Sequence, residues 1–416
     1  MAERVLEFAE ALGEVLRHAK ALDGARGGVE TPLLDAVGRV LARPVLAERD
    51  HPPFARSTRD GYAVRSVDVA AEQPLRIVGS VRAGERWRGA APGDCEAIEI
   101  MTGAPVPEGA DAVLMVEHAV IGSDGLLRIE AGRTLQAGEN VVPRGAEARA
   151  GEEVVPAGRK VGAAEVALAA SCGYARVEVY ARPRVAIVAT GDELVELEEA
   201  VEEQQIRNSN SYALATLVAE EGGEARRLPI ARDTLRDLRE RLEEGRGADL
   251  VLLSGGVSMG KYDLVEDALR EAGAEFIFTG AKIQPGKPVV FGRLPKGDAG
   301  SGEEWMYFFG LPGNPVSTEV CFRLFVAPML RALAGQAEMA PRFVEALLAE
   351  NVKGGARVTR FLPAVLESDW RQATVHVVPW QGSGDLAANA RANGFAVLPS
   401  GVERISAGEA VRVLLR

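Results

Sequence analysis

Between about residues 178 and 335, short apolar runs alternate with amphipathic stretches, and this alternation restricts the fold more than any other feature of the chain. Strands are expected at Arg184 to Ala189, Ala225 to Ile230, Leu250 to Leu253 and Met306 to Phe309, most of them followed by a segment with helical spacing. Near-continuous apolar strands are buried on both faces, which is the condition of a parallel sheet covered by crossover helices. The expectation is a three-layer α/β domain.

The chain has 416 residues, room for two to four domains with separate cores. Its first 22 residues place Phe8, Leu12, Val15, Ala19 and Leu22 on one helical face. Thr31 and Pro32 supply an N-cap and a first turn for a second helix over Leu33, Val37 and Leu41. From about 45 to 145, alternating runs such as Leu75 to Val78 and Ala112 to Val116 are cut by Gly and Pro, so this stretch is β-rich. Helical spacing returns at Val161, Ala164, Leu168 and Cys172. The last 80 or so residues show strands at Val375 to Pro379, Ala396 to Leu398 and Val411 to Leu415. The expected class is α/β and β multidomain. A discontinuous helical linker domain covers 1–44 and 146–177, a β-rich domain 45–145, the α/β domain 178–336, and a C-terminal β-barrel 337–416. The Gly/Asp/Ser/Glu stretch 297–304 reads as an exposed hairpin loop, and the acidic run from Glu193 to Glu203 as solvated surface.

Composition removes several function classes. A net charge of −12 disfavours a nonspecific grip on nucleic acid, which depends on clustered cations. Cys95, Cys172 and Cys321 are dispersed and odd in number, and His18, His51, His118 and His376 have no ligand spacing, so neither a disulfide framework nor a zinc site is expected. The first helix lacks the apolar core of a signal peptide, and no run is long enough to span a membrane, so the expected location is cytoplasmic.

In open α/β sheets, ligands gather beyond the carboxyl ends of the strands. Here those ends carry Thr190-Gly191-Asp192-Glu193, Arg232-Asp233 and Ser254-Gly255-Gly256-Val257-Ser258 with Gly260 and Asp263. Pro285-Gly286-Lys287-Pro288 and Gly310-Leu311-Pro312-Gly313-Asn314-Pro315 follow. Glycines let an anion approach backbone amides that a Cβ would hold off. Any one such loop is an ordinary turn, but five on one edge of a sheet point to an anionic ligand. Glu193, Asp233 and Asp263 suit Mg²⁺, which takes carboxylate oxygens together with substrate phosphates. Helix capping is the competing reading for Asp233 and Asp263. Gly280 to Lys287 is not a Walker A loop, since it has one residue too many and ends in Lys-Pro, and a G-x-G-x-x-G fingerprint is missing after the first strand.

The ordered set DGYAV, IMTGAPVPEGAD, TGDEL, SGGVSMG with Asp263, PGKP and GLPGNPVS resembles the molybdenum insertase family, which includes the bacterial MoeA proteins and the E domain of gephyrin. The resemblance spans roughly residues 5 to 416. It implies a homodimer of four-part chains that takes molybdate and adenylylated molybdopterin, with Mg²⁺, and yields molybdenum cofactor and AMP. It also implies transient contact with the molybdopterin adenylyltransferase and with molybdoenzyme chaperones. Carried over position by position, Asp60, Glu193, Asp233 and Asp263 resemble the family's essential acids. Lys287 and Pro288 resemble its oxyanion loop. Ser254, Gly255, Gly256 and Ser258 with Pro312, Gly313, Asn314 and Pro315 resemble the pterin and phosphate cradle. Ser383 resembles a serine near the molybdate, and Thr102 and Arg144 lie in matching motifs.

Four positions depart from the pattern. Glu147 stands where relatives often have Asp, Gln284 with Lys282 nearby stands where many have Lys, and Ala55-Arg56 replaces an Asp-Asn pair. The C-terminal arginine corresponds to either Arg357 or Arg360. The resemblance implies a site at the dimer interface, with Asp60 and Glu147 of one subunit facing the α/β loops of the other. The competing readings are a molybdopterin adenylyltransferase and a non-catalytic scaffold of the same fold.

Overall fold

The computed structural model describes residues 4–22, 27–256, 264–296, 305–355 and 357–416. The first helix, α1 (Phe8–Lys20), forms as its spacing predicts. It buries Ala11, Val15 and Ala19, and the Glu10 carboxylate accepts the Glu7 amide hydrogen at 3.1 Å to close its first turn.

The second expected helix does not form. Gly28–Pro32 is a strand paired antiparallel with Arg176–Tyr180, and only a single 3₁₀ turn follows at Leu33–Ala36. Gly38 adopts φ +78, and Val40 and Leu41 bridge to Lys160 and Val179. Leu33 and Leu41 are buried but Val37 is 56% exposed. Thr31 is therefore a strand residue and caps no helix. Spacing alone suggested a helix, whereas strand pairing satisfied the backbone groups.

In the β-rich region the strands Arg76–Val81, Glu96–Ile100, Gly61–Val64 and Ala112–Met115 form a four-stranded sheet in that order. Helix α2 (Ala163–Ser171) follows, in the place its spacing predicts.

The central sheet contains β1 (Arg184–Ala189), β2 (Glu224–Arg227), β3 (Leu250–Ser254), β4 (Glu275–Phe278), β5 (Val290–Pro295) and β6 (Trp305–Leu311), in the order β2-β1-β3-β6-β5-β4. The first four in that order are parallel, but β5 runs antiparallel to both neighbours, so the sheet is mixed. The run Val289-Val290-Phe291 follows a Pro-Gly-Lys-Pro turn with no intervening helix, which is why the chain reverses there. Residues 297–304, read as a hairpin loop, lie outside the described residues; the strands flanking them pair antiparallel, with Pro295 opposite Trp305.

Helices α3 (Ser209–Glu220), α4 (Leu235–Gly245) and α5 (Leu264–Glu271) are followed by α6 (Pro315–Cys321), which continues through a π turn into α7 (Ala327–Leu333). One core packs Val15, Leu214, Leu217 and Phe325 on Phe278, Phe291 and Phe309. The other packs Leu238, Leu242 and Leu269 on Val188, Leu253 and Phe308. Phe308 and Phe309 are adjacent in β6 and enter opposite cores, as strand alternation requires. Each fully buried Phe contributes about 2–3 kcal/mol.

The C-terminal strands β7 (Phe343–Leu348), β8 (Thr359–Ser368), β9 (Ala373–Val377), β10 (Gly394–Leu398) and β11 (Ala410–Leu415) close into a five-stranded barrel through the β8–β10 pairing. Among the described residues no helix is long and apolar enough to cross a membrane.

Candidate functional site

The carboxyl ends of β1, β3 and β6 are stitched into one rim. The Thr190 amide donates to the Ser254 carbonyl at 3.0 Å, and the Gly255 amide donates to the Leu311 carbonyl at 3.1 Å. Gly255 and Gly256 have φ of +95 and +65. A Cβ on Gly255 would lie 2.5 Å from the Thr190 carbonyl oxygen, so the turn needs glycine for close approach as well as for its dihedral.

Two of the candidate acids, Asp233 and Glu193, flank the Thr190-Gly191 turn. The Thr190 hydroxyl donates to Asp233 Oδ1 at 3.0 Å, and Asp192 Oδ1 accepts the Asp233 amide at 3.2 Å. A Cβ on Gly191 would meet Glu193 Oε2 at 2.4 Å, which places that carboxylate directly over the turn. Both carboxylates are exposed. The capping reading of Asp233 fails, because the N-cap of α4 is Thr234, whose side chain accepts from the Asp237 amide. Asp263 and Ser258 lie outside the described residues. Among the described residues no three His, Cys, Asp or Glu side chains converge to hold a metal ion by themselves.

The Pro312-Gly313-Asn314-Pro315 loop leads into α6, with Pro315 at its first turn, where the missing amide hydrogen costs nothing. Asn314 donates to the Ser383 hydroxyl at 2.8 Å, and the Ser383 carbonyl accepts the Val316 amide at 3.0 Å. The barrel thereby joins the rim. Gly286 backs onto α6, its carbonyl accepting from the Cys321 thiol at 3.4 Å, and burial pushes that thiol's pKa up. Lys287 is exposed and Pro288 half-buried. Because β5 is antiparallel, with Val290 opposite Gly310, this loop lies at the same end of the sheet.

Asp60 and Thr102 form a second cluster. Asp60 Oδ1 accepts from the Thr102 amide at 2.6 Å and the Thr102 hydroxyl at 2.8 Å, and these two bonds hold its carboxyl below the usual range. Glu147 Oε1 accepts from Arg56 at 2.9 Å, so two of the departures from the family pattern meet each other. Arg144 donates to Asp50 at 2.7 Å. Among the described residues no hydrogen bond or ion pair joins residues 52–148 to the loops of the sheet, so one chain holds these groups as two sets. Lys282 pairs with Glu7, which raises its pKa. Arg360 pairs opposite Gln284, and its Nε is buried without an acceptor among the described residues, while Arg357 is exposed.

Residues 6–173 match the family profile of the MoeA N-terminal region (domain I and II), 186–332 that of the probable molybdopterin binding domain, and 345–415 that of the MoeA C-terminal region (domain IV). The chain is 37% identical over 397 residues to a molybdopterin molybdenumtransferase of a Nostoc species, covering 92% of this chain and 88% of that protein. It belongs to the molybdopterin molybdenumtransferase family. A second family member, from Haemophilus influenzae, is 32% identical with 92% of each chain covered. The molybdopterin biosynthesis MoeA protein of Pyrococcus horikoshii superposes with TM-score 0.72 at 32% identity, over 99% of both chains.

One rim residue of this molybdopterin molybdenumtransferase family member escaped the sequence reading. Asn210, at the start of α3, donates to Ser254 Oγ at 3.1 Å and to the Gly313 carbonyl at 2.7 Å. The signal was the Asn208-Ser209-Asn210 run, in which one asparagine sufficed as the cap.

Proposed function

We propose that the chain inserts molybdenum from molybdate into adenylylated molybdopterin, releasing AMP, in the cytoplasm and as a homodimer. The chain is a transferase of the molybdopterin molybdenumtransferase family, and the observation that carries the reading is the rim itself. Glycine turns, two exposed carboxylates, a lysine loop and a barrel serine lie at one end of one sheet.

In this reading Gly255, Gly256 and the Pro312 to Pro315 loop receive the pterin and its phosphates, because their backbone approaches without Cβ obstruction. Lys287 and Pro288, with Ser383, hold the oxyanion, joined by Arg360, whose backbone pairs beside Gln284. Glu193 and Asp233, with Asp263, carry the acid chemistry. Their carboxylate oxygens fit Mg²⁺ in kind, and two such groups leave positions for substrate oxygens. Bound there, the ion would screen phosphate charge. Asp60, Thr102 and Glu147 are supplied by the second copy, which accounts for the two unconnected sets within one chain. Asp60 stays ionised at neutral pH, and the Thr102 contacts hold it in place.

Incubating the protein with adenylylated molybdopterin, molybdate and Mg²⁺ tests this: molybdate-dependent AMP release is expected. Adenylylation of free molybdopterin from ATP, or binding with no turnover, would replace it with the adenylyltransferase or scaffold reading. Lys287→Ala should raise the KM for molybdate by about tenfold or more, the scale of one charge-assisted hydrogen bond, and leave the melting temperature unchanged.

A further inference from the structure

We propose that Asn210 is a positioning residue that fixes the Ser254 hydroxyl as a hydrogen-bond donor toward an anionic oxygen of the pterin substrate. The inference rests on the reading above, in which Ser254 and the glycines after it receive that substrate.

The direction of each bond follows from chemistry. The Gly313 carbonyl can only accept, and it lies 2.7 Å from Asn210 Nδ2, so the side-chain amide must point its nitrogen toward the rim. The same nitrogen is 3.1 Å from Ser254 Oγ, and an amide nitrogen has hydrogens but no acceptor capacity, so Ser254 accepts. The Thr318 hydroxyl is a longer approach at 3.4 Å, and its own hydrogen is directed to the Pro312 carbonyl at 2.6 Å. Having accepted from Asn210, the Ser254 hydroxyl keeps its hydrogen to give.

That hydrogen belongs to a residue only 3% exposed, at the last position of β3, immediately before Gly255 and Gly256. A hydroxyl so held has its hydrogen to offer a phosphate or pterin oxygen. Asn210 also joins three segments, the start of α3, the end of β3 and the loop before α6. Asn208, two residues earlier, turns the other way, accepting from the Ser211 amide and donating to Glu196. The two asparagines divide the work: one caps the helix and one sets the rim.

A binding cycle tests the proposal, using calorimetry with adenylylated molybdopterin and no molybdate, so that turnover is not needed. Asn210→Ala should weaken binding about tenfold, raise the KM for the pterin to match, and change kcat by no more than about twofold. In the Ser254→Ala background the same change should cost at least threefold less, because there is no hydroxyl left to orient. Asn210→Asp is nearly isosteric but can only accept, so it should draw the hydroxyl hydrogen to itself and weaken binding more than Asn210→Ala. Equal losses in both Ser254 backgrounds, or a loss of affinity that only tracks a fall in melting temperature, would overturn the assignment. If the wild-type protein binds the pterin but releases no AMP once molybdate and Mg²⁺ are added, the reaction reading falls while the role of Asn210 is still decided by the cycle. If the wild-type protein does not bind the pterin, both fall.

Discussion

Asp60 shows how much a single contact sets at the scale of the residue. Its two bonds from Thr102 stabilise the ionised form, so the pair contributes above the ordinary carboxylate range and is lost as pH falls through the depressed pKa. Thr102→Val removes the hydroxyl but keeps the backbone amide, which is the larger cause. The Asp60 midpoint, followed by carbon NMR of the carboxyl, should therefore rise only part of the way to 3.8. A return all the way would mean that the hydroxyl does the holding. The sequence marked both residues through their motifs but not their contact, because they stand 42 positions apart. The Arg56–Glu147 pair was hidden in the same way: each looked like a separate departure, and only the fold brings them together.

At the scale of elements, the rim depends on how tightly β1, β3 and α6 approach one another. Gly255→Ala should destabilise the protein by about 1–3 kcal/mol in urea unfolding, since it adds both an unfavourable φ and a clash with the Thr190 carbonyl. The barrel is held to α6 at two places. Ser383 meets Asn314 and Val316, and one turn further along Glu319 pairs with Arg323 at 2.8 Å and with Arg416 at 3.1 Å and accepts from Asn389 at 2.7 Å. These side chains are largely buried, so Glu319→Ala leaves Arg416 without its carboxylate and should cost about 1–3 kcal/mol, read as a lowered melting temperature. Helical spacing identified α1 and α2 correctly and failed over Leu33 to Leu41. There Gly38 and the pairing with residues 176–180 outweighed a pattern that only three apolar residues supported.

At the scale of the whole molecule, the proposed source of Asp60 for the rim is a second copy of the chain. If a site combines Asp60 of one subunit with Lys287 of the other, mixing an Asp60→Asn protein with a Lys287→Ala protein should restore activity. Random exchange into mixed dimers leaves about one quarter of the sites free of both changes. Mixtures no more active than either parent would show that each chain works alone.

Most of the elements, and the residue types at their ends, could be read from the sequence alone. Buried strands are nearly continuous apolar runs, and a turn with positive φ or a close backbone approach favours glycine, so both leave a local record. The tertiary structure decided the direction of β5, the fate of the second helix, and the partners of Asp60, Glu147 and Asn210. Each of those depends on groups far apart in the chain, and a hydrogen bond between distant residues leaves no periodicity to read.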